Sequence, residues 1–126
     1  MRCAYLTTDE ANTALALEWA AACGIDLFPL APKEGLPGRE YDAVLCDWDF
    51  WPVELREEMF ADLSNGPPSC PLAVHGYNLD EDATMHLRNQ GVDVHRSLHF
   101  DVFRRLRLAH RRARSAAPPV LDSEVT

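Results

Sequence analysis

Tyr41-Asp42-Ala43-Val44-Leu45-Cys46-Asp47 is the stretch that decides the fold. Four consecutive small or apolar residues are followed by an acid. A short continuous apolar run bounded by polar residues reads as a strand buried on both faces. Such strands belong to parallel sheets covered by helices, so the flanking sequence should alternate between strand and helix patterns.

It does so on both sides. Upstream, Arg2 to Leu6 reads as a buried strand and residues 9–22 as an Ala- and Leu-rich amphipathic helix with apolar positions at 11, 14, 15 and 19. Thr7 with Glu10 has capping-box spacing, and Gly24 ends the helix. Ile25 to Leu30 reads as a second strand. Pro29, Pro32, Gly35, Pro37 and Gly38 then break regular structure, so a second helix is expected to be short or missing, with room only for a short one within Ala31 to Glu40. Downstream of Asp47, Pro52 opens a helix over 53–63 that stops at Asn65-Gly66. Pro71 to His75 is a fourth strand, Asp80 to Asn89 a short helix, Val92 to Leu98 a weaker fifth strand, and Asp101 to about Arg114 the last helix. Val102, Phe103, Leu106 and Ala109 are its core-facing positions. Right-handed crossovers then predict an α/β, doubly wound, five-stranded parallel sheet of the flavodoxin-like type, with a domain over 1–114 and a proline-bearing tail or linker over 115–126. In such sheets ligands sit beyond the carboxyl ends of the strands.

The chain has 126 residues, 47% of them apolar, which suits one domain with one core. No apolar run approaches the roughly 20 residues that span a bilayer. No basic-then-apolar leader opens the chain, so the cytoplasm is the expected location and no membrane partner is expected. The four cysteines, Cys3, Cys23, Cys46 and Cys70, form no C-x-x-C pair and read as free thiols rather than zinc ligands or a disulfide framework. The net charge of −8 argues against nucleic acid. Its distribution is uneven. Residues 1–100 hold 6 basic and 17 acidic residues, whereas residues 101–114 hold six arginines against Asp101.

The strand ending at Asp47 resembles the third strand of response-regulator receiver domains, which ends in their phosphorylated Asp. Gly91-Val92-Asp93-Val94-His95-Arg96-Ser97-Leu98-His99-Phe100 is similar to that family's fifth-strand segment, which closes on Lys-Pro-Phe. The resemblance covers about residues 2–113. It implies a receiver fold with Asp47 at the phosphoacceptor position, and it also implies a degenerate site. The metal-binding acidic pair falls on Thr7 and Thr8, the hydroxyl position on His75 followed by Gly76 in place of Ala, the switch aromatic on His95, and the Lys on Leu98. A receiver gathers carboxylates around magnesium and answers the phosphoryl charge with Lys. Threonines and a leucine supply neither, so no cofactor or metal is expected and a pseudo-receiver is. Asp9 and Glu10 read as helix-start acids, and Asp49 as a cap for the helix after Pro52.

Three functions follow as expectations. The first is a non-enzymatic signalling module that works by protein contact without phosphorylation. The resemblance places the output surface on the family's fourth helix, fifth strand and fifth helix, and the fifth is the Arg-rich one here. Arg104, Arg105, Arg107 and Arg111 could therefore meet an acidic partner or a second copy. Phe50 and Trp51 add a second candidate partner surface, or pack inward together with Trp48 over the missing second helix. The second is an atypical phosphoacceptor using Asp47. The third is a ligand or enzyme site in the strand-end crevice built from His75, His95 and His99. It is opposed by the ~13 Å between His95 and His99 along an extended strand. There is no Walker loop, G-x-G-x-x-G or G-x-S-x-G motif to support nucleotide or hydrolase chemistry.

Overall fold

The structure is a computed structural model and describes residues 1–32, 37, 40–66 and 68–116. Five parallel strands, β1 (Arg2–Leu6), β2 (Asp26–Leu30), β3 (Ala43–Asp47), β4 (Leu72–His75) and β5 (Asp93–His95), lie in the order β2-β1-β3-β4-β5. Among the described residues four α-helices connect and cover them: α1 (Glu10–Ala22), α2 (Val53–Ser64), α3 (Glu81–Asn89) and α4 (Phe100–Ala116). The doubly wound sheet is therefore the expected one. Pro29 lies in β2, an edge strand, where its missing N–H breaks no central ladder. The expectation of a short or missing second helix turns on the stretch after β2, of which 33–36 and 38–39 lie outside the described residues. So do 117–126 of the expected tail, while α4 runs on to Ala116.

Strand side chains alternate between faces, and that alternation divides the core in two. Cys3, Tyr5, Ala43, Leu45 and Ala73 pack with Ala16 and Ala20 of α1 and with Val102, Phe103 and Leu106 of α4. Ala4, Leu6, Val44, Cys46, Leu72 and Val74 pack with Met59 and Leu63 of α2 and Leu87 of α3. Helices α1 and α4 thus cover one face, and α2 and α3 the other.

The phase of α1 differs from the expected one. Ala11, Ala14 and Leu15 are exposed, and the inward stripe is Asn12, Ala16 and Ala20 with Trp19 beside it. Ala and Leu occur all round this helix, so its composition carries little phase information. Its cap also differs. Asp9, not Thr7, is the N-cap and accepts from the Asn12 N–H at 2.9 Å. The fifth strand is shorter than expected, because the chain bends at Arg96–Ser97.

The aromatic run after β3 resolves by residue. Trp48–Phe50 form a 3₁₀ turn that rotates Trp48 and Trp51 into the core, at 5% and 3% exposure, and leaves Phe50 out at 42%. Trp51 is therefore a packing residue and not a partner anchor. Trp48 lies edge-on to Phe60 of α2 and carries the Arg56 guanidinium over its ring. The two tryptophans serve the α2 side of the core.

Candidate functional site

Parallel register places the candidate residues in a row. Leu6 lies opposite Cys46, so Thr7 follows on beside Asp47; Asp47 lies opposite His75, and His75 opposite His95. By strand parity Thr7, Asp47 and His75 share the face of Tyr5, Leu45 and Ala73, under α1 and α4. The carboxyl ends of four neighbouring strands thus bring together residues up to 88 positions apart.

Asp47 is fully buried. Its Oδ2 accepts two hydrogen bonds of 2.8 Å, one from the Thr7 hydroxyl and one from the Asn12 side-chain amide. The Thr7 Oγ1 in turn accepts from the Asp9 N–H. The other oxygen, Oδ1, has no hydrogen-bond partner among the described residues. His75 Nε2 stands 3.9 Å from it, too far for a hydrogen bond. That same Nε2 shares a 2.7 Å hydrogen bond with the Tyr5 hydroxyl. Burial lowers the His75 pKa, and the pull of Asp47 and Asp49 in the other direction does not overcome it. The imidazole is therefore neutral near pH 7, and the His75–Asp47 approach is not an ion pair. Burial, reinforced by Asp47, raises the Tyr5 pKa, so the phenol keeps its proton for the bond to His75.

Thr7 is thus a ligand of Asp47, while Thr8 is exposed and outside the group. Leu98 packs partly buried against the α1/α4 side of the core and brings no charge. Asn12 is the residue the sequence reading missed. The signal available was its spacing: residues 12, 16 and 20 fall on one helical stripe, with the single amide at the end nearest the strand termini.

Magnesium does not fit these residues. A hard divalent ion wants several oxygen ligands in an octahedral set. Here Oδ2 is already engaged by two donors, and the one open carboxyl oxygen faces an imidazole. Among the described residues no three His, Cys, Asp or Glu side chains are placed to share a metal.

Asp49 does not cap α2, as expected from its position; Pro52 is the N-cap and no side chain bonds there. The 3₁₀ turn swings the Asp49 carboxylate across to the β4–α3 loop, where it accepts from the Tyr77 and Asn78 N–H groups at 2.8 and 3.0 Å. This latch accounts for Gly76. A Cβ at that position would lie 2.8 Å from the Trp48 Cβ and 3.3 Å from Asp49 Oδ1.

The histidines converge more than an extended strand allows. Because β5 ends at His95 and the chain bends, the His95 and His99 rings pack edge-to-face with centroids 5.4 Å apart. His95 Nε2 also lies 2.9 Å from Asp93 Oδ2. Burial alone would raise the Asp93 pKa, but the hydrogen bonds from His95 and Arg105 outweigh it and hold this carboxyl far below its usual range.

The Arg-rich helix is partly occupied from within. Arg105 makes a bidentate pair with Asp93, at 2.8 and 2.9 Å. Arg107 donates to the Gly24 carbonyl at 2.8 Å and so closes the end of α1. Arg104 pairs with Asp101 one turn back. Arg105 and Arg107 are thus engaged within the chain, while Arg111, Arg112 and Arg114 are exposed and make no such tie among the described residues.

No protein-family model matches the chain, and no curated protein matches it by sequence. Among solved structures it is similar to a two-component response regulator from Clostridium difficile, with a TM-score of 0.57 and 12% identity over 89% of this chain and 96% of that one. At that identity the likeness is one of fold. The chain has the receiver-like, flavodoxin-type α/β fold, with the 2-1-3-4-5 strand order.

Proposed function

We propose that this chain is a cytosolic, non-catalytic pseudo-receiver, a signalling module that acts by protein contact and without phosphorylation of Asp47. The observation that carries the reading is the complete burial of Asp47, with one oxygen engaged by Thr7 and Asn12. Acyl phosphate formation needs a carboxyl oxygen that can reach the donor, and a cation to meet about two added negative charges. Thr7, His75 and Leu98 meet neither need. Four free cysteines agree with a reducing compartment. The surface left for contact is Phe50 together with the exposed arginines of α4.

One observation favours the atypical phosphoacceptor reading, namely the unpartnered Oδ1. An opening of the strand-end crevice would present that oxygen. The cavities lined by Phe100 and Leu108, by Asp93 and His95, and by Cys70 and Gln90 lie away from Asp47, so none of them supports a ligand or enzyme site there.

Intact-mass analysis after incubation with acetyl phosphate and magnesium separates the two readings, with Asp47→Asn as control. The expected result is no adduct on either protein and an unchanged spectrum with beryllium fluoride. A phosphoryl adduct on the wild type that Asp47→Asn lacks overturns the proposal.

A further inference from the structure

We infer that the outer face of α4 on one copy of this chain docks against the outer face of α2 on another, giving a salt-sensitive, head-to-tail self-association. This deepens the contact-module reading by naming the partner, and it makes no use of Asp47, so the two can fail separately.

The first surface is α2. Glu54, Glu57, Glu58 and Asp62 are all exposed. The only basic residue of the helix, Arg56, is turned inward: its guanidinium donates to the Trp48 and Trp51 carbonyls at 2.6 and 3.1 Å and lies 4.6 Å over the Trp48 ring. The outer face therefore carries four acids, and no ion pair joins them to any other described residue. Glu54, Glu58 and Asp62 repeat at four-residue spacing. Like charges so placed repel along a helix.

The second surface is α4. Once Arg104, Arg105 and Arg107 are assigned to Asp101, Asp93 and Gly24, Arg111, Arg112 and Arg114 are left without a carboxylate among the described residues. They too stand within a turn of one another and repel. Beside them lies a groove of about 350 Å³ whose walls include Phe100, Leu108 and Arg111. Phe100 and Leu108 are 40% and 45% exposed. The α2 surface has its own apolar end, with Val53 at 60% and Phe50 at 42%.

The charges are complementary, and the acids of α2 span about 12 Å of helix against about 4.5 Å for the free arginines, 111 to 114, at 1.5 Å per residue. Helices α2 and α4 lie on opposite faces of the sheet, so the two patches cannot meet within one molecule. Pairing is thus between different patches of successive copies, which generates an open chain or a ring rather than a two-fold dimer. The net charge of −8 works against random encounter, whereas the basic patch of one copy attracts the acidic remainder of another. Exposed ion pairs are individually weak and screened, so association should vanish at high salt.

The test is sedimentation velocity of the full chain at roughly 30 mM and 500 mM NaCl, straddling the range in which screening becomes short. The expected result is species larger than the monomer at low salt, growing with protein concentration, and monomer at high salt. Arg111→Glu with Arg112→Glu should weaken association at least tenfold. So should Glu58→Lys with Asp62→Lys, and mixing the two double variants should restore it, because each then offers the charge the other lacks. The restoration also shows that both variants are folded. A wild-type monomer at low salt overturns the inference, as does association that ignores both reversals, or reversals that fail to rescue each other. A poly-glutamate peptide binding α4 while the chain stays monomeric also overturns it, since the patch would then serve a different acidic partner.

Discussion

Asp47 closes β3 at the carboxyl edge of the sheet, and its surroundings are those of a structural polar residue. Two donors, Thr7 just after β1 and Asn12 in α1, converge on a single oxygen. An amide could accept both bonds equally well, because only Oδ2 is used. Asp47→Asn should therefore change stability little, whereas Asp47→Ala leaves two buried donors unpaired and should cost about 1–3 kcal/mol. Urea unfolding of the three proteins checks this. An Asn variant as unstable as the Ala variant would mean that Oδ1 has a role the geometry does not reveal. The acidic residue at a strand end was legible in the sequence, and so were the two threonines that follow the first strand. The bonds were not, because they join residues 35 and 40 positions apart and depend on the phase of α1.

Between elements, the decisive contact joins the turn after β3 to the loop after β4. Asp49 reaches across to two backbone N–H groups, and Gly76 leaves the room that lets Trp48 and Asp49 approach. Nothing in the local sequence distinguished this from a helix cap, since Asp49 precedes Pro52 at a distance that suits either use. Gly76→Ala places a methyl 2.8 Å from the Trp48 Cβ, a buried and immobile neighbour. The loops would have to part, at a cost of about 1–3 kcal/mol by analogy with overpacked cores. Chemical denaturation reads the loss; a neutral Gly76→Ala would show that the turn yields freely. The same scale explains the histidines. An extended β5 keeps His95 and His99 apart, and the bend at Arg96–Ser97 brings their rings together.

For the whole molecule, two buried or paired groups set the response to acid. The His75 pKa is lower folded than unfolded, so the unfolded chain binds the extra proton and stability falls as pH drops below the ordinary value of about 6.5. Asp93 is likewise depressed, and its contribution is present above its ordinary value of 3.8 and lost as pH falls below it. Thermal melts from pH 8 to pH 3 should show a descending step below about 6.5 and the onset of a second below 3.8. The upper one should be absent in His75→Gln, which cannot titrate there. A flat profile between neutrality and the carboxylate range would contradict a neutral, buried His75.

The sequence by itself determined the order of strands and helices, the parallel sheet, and the acid that closes the third strand. These follow from local periodicity, from turn residues and from the identity of side chains at strand ends, all of which lie within short windows of chain. Only the tertiary structure decided that Trp51 is core and Phe50 surface, that Asn12 completes the Asp47 pocket, and that Arg105 and Arg107 are tied down within the chain. Each of those outcomes depends on the rotation of a helix or turn about its own axis relative to the sheet. That rotation is set by packing between distant segments, and in α1 the Ala and Leu spread round the helix leave the local pattern nearly silent about it.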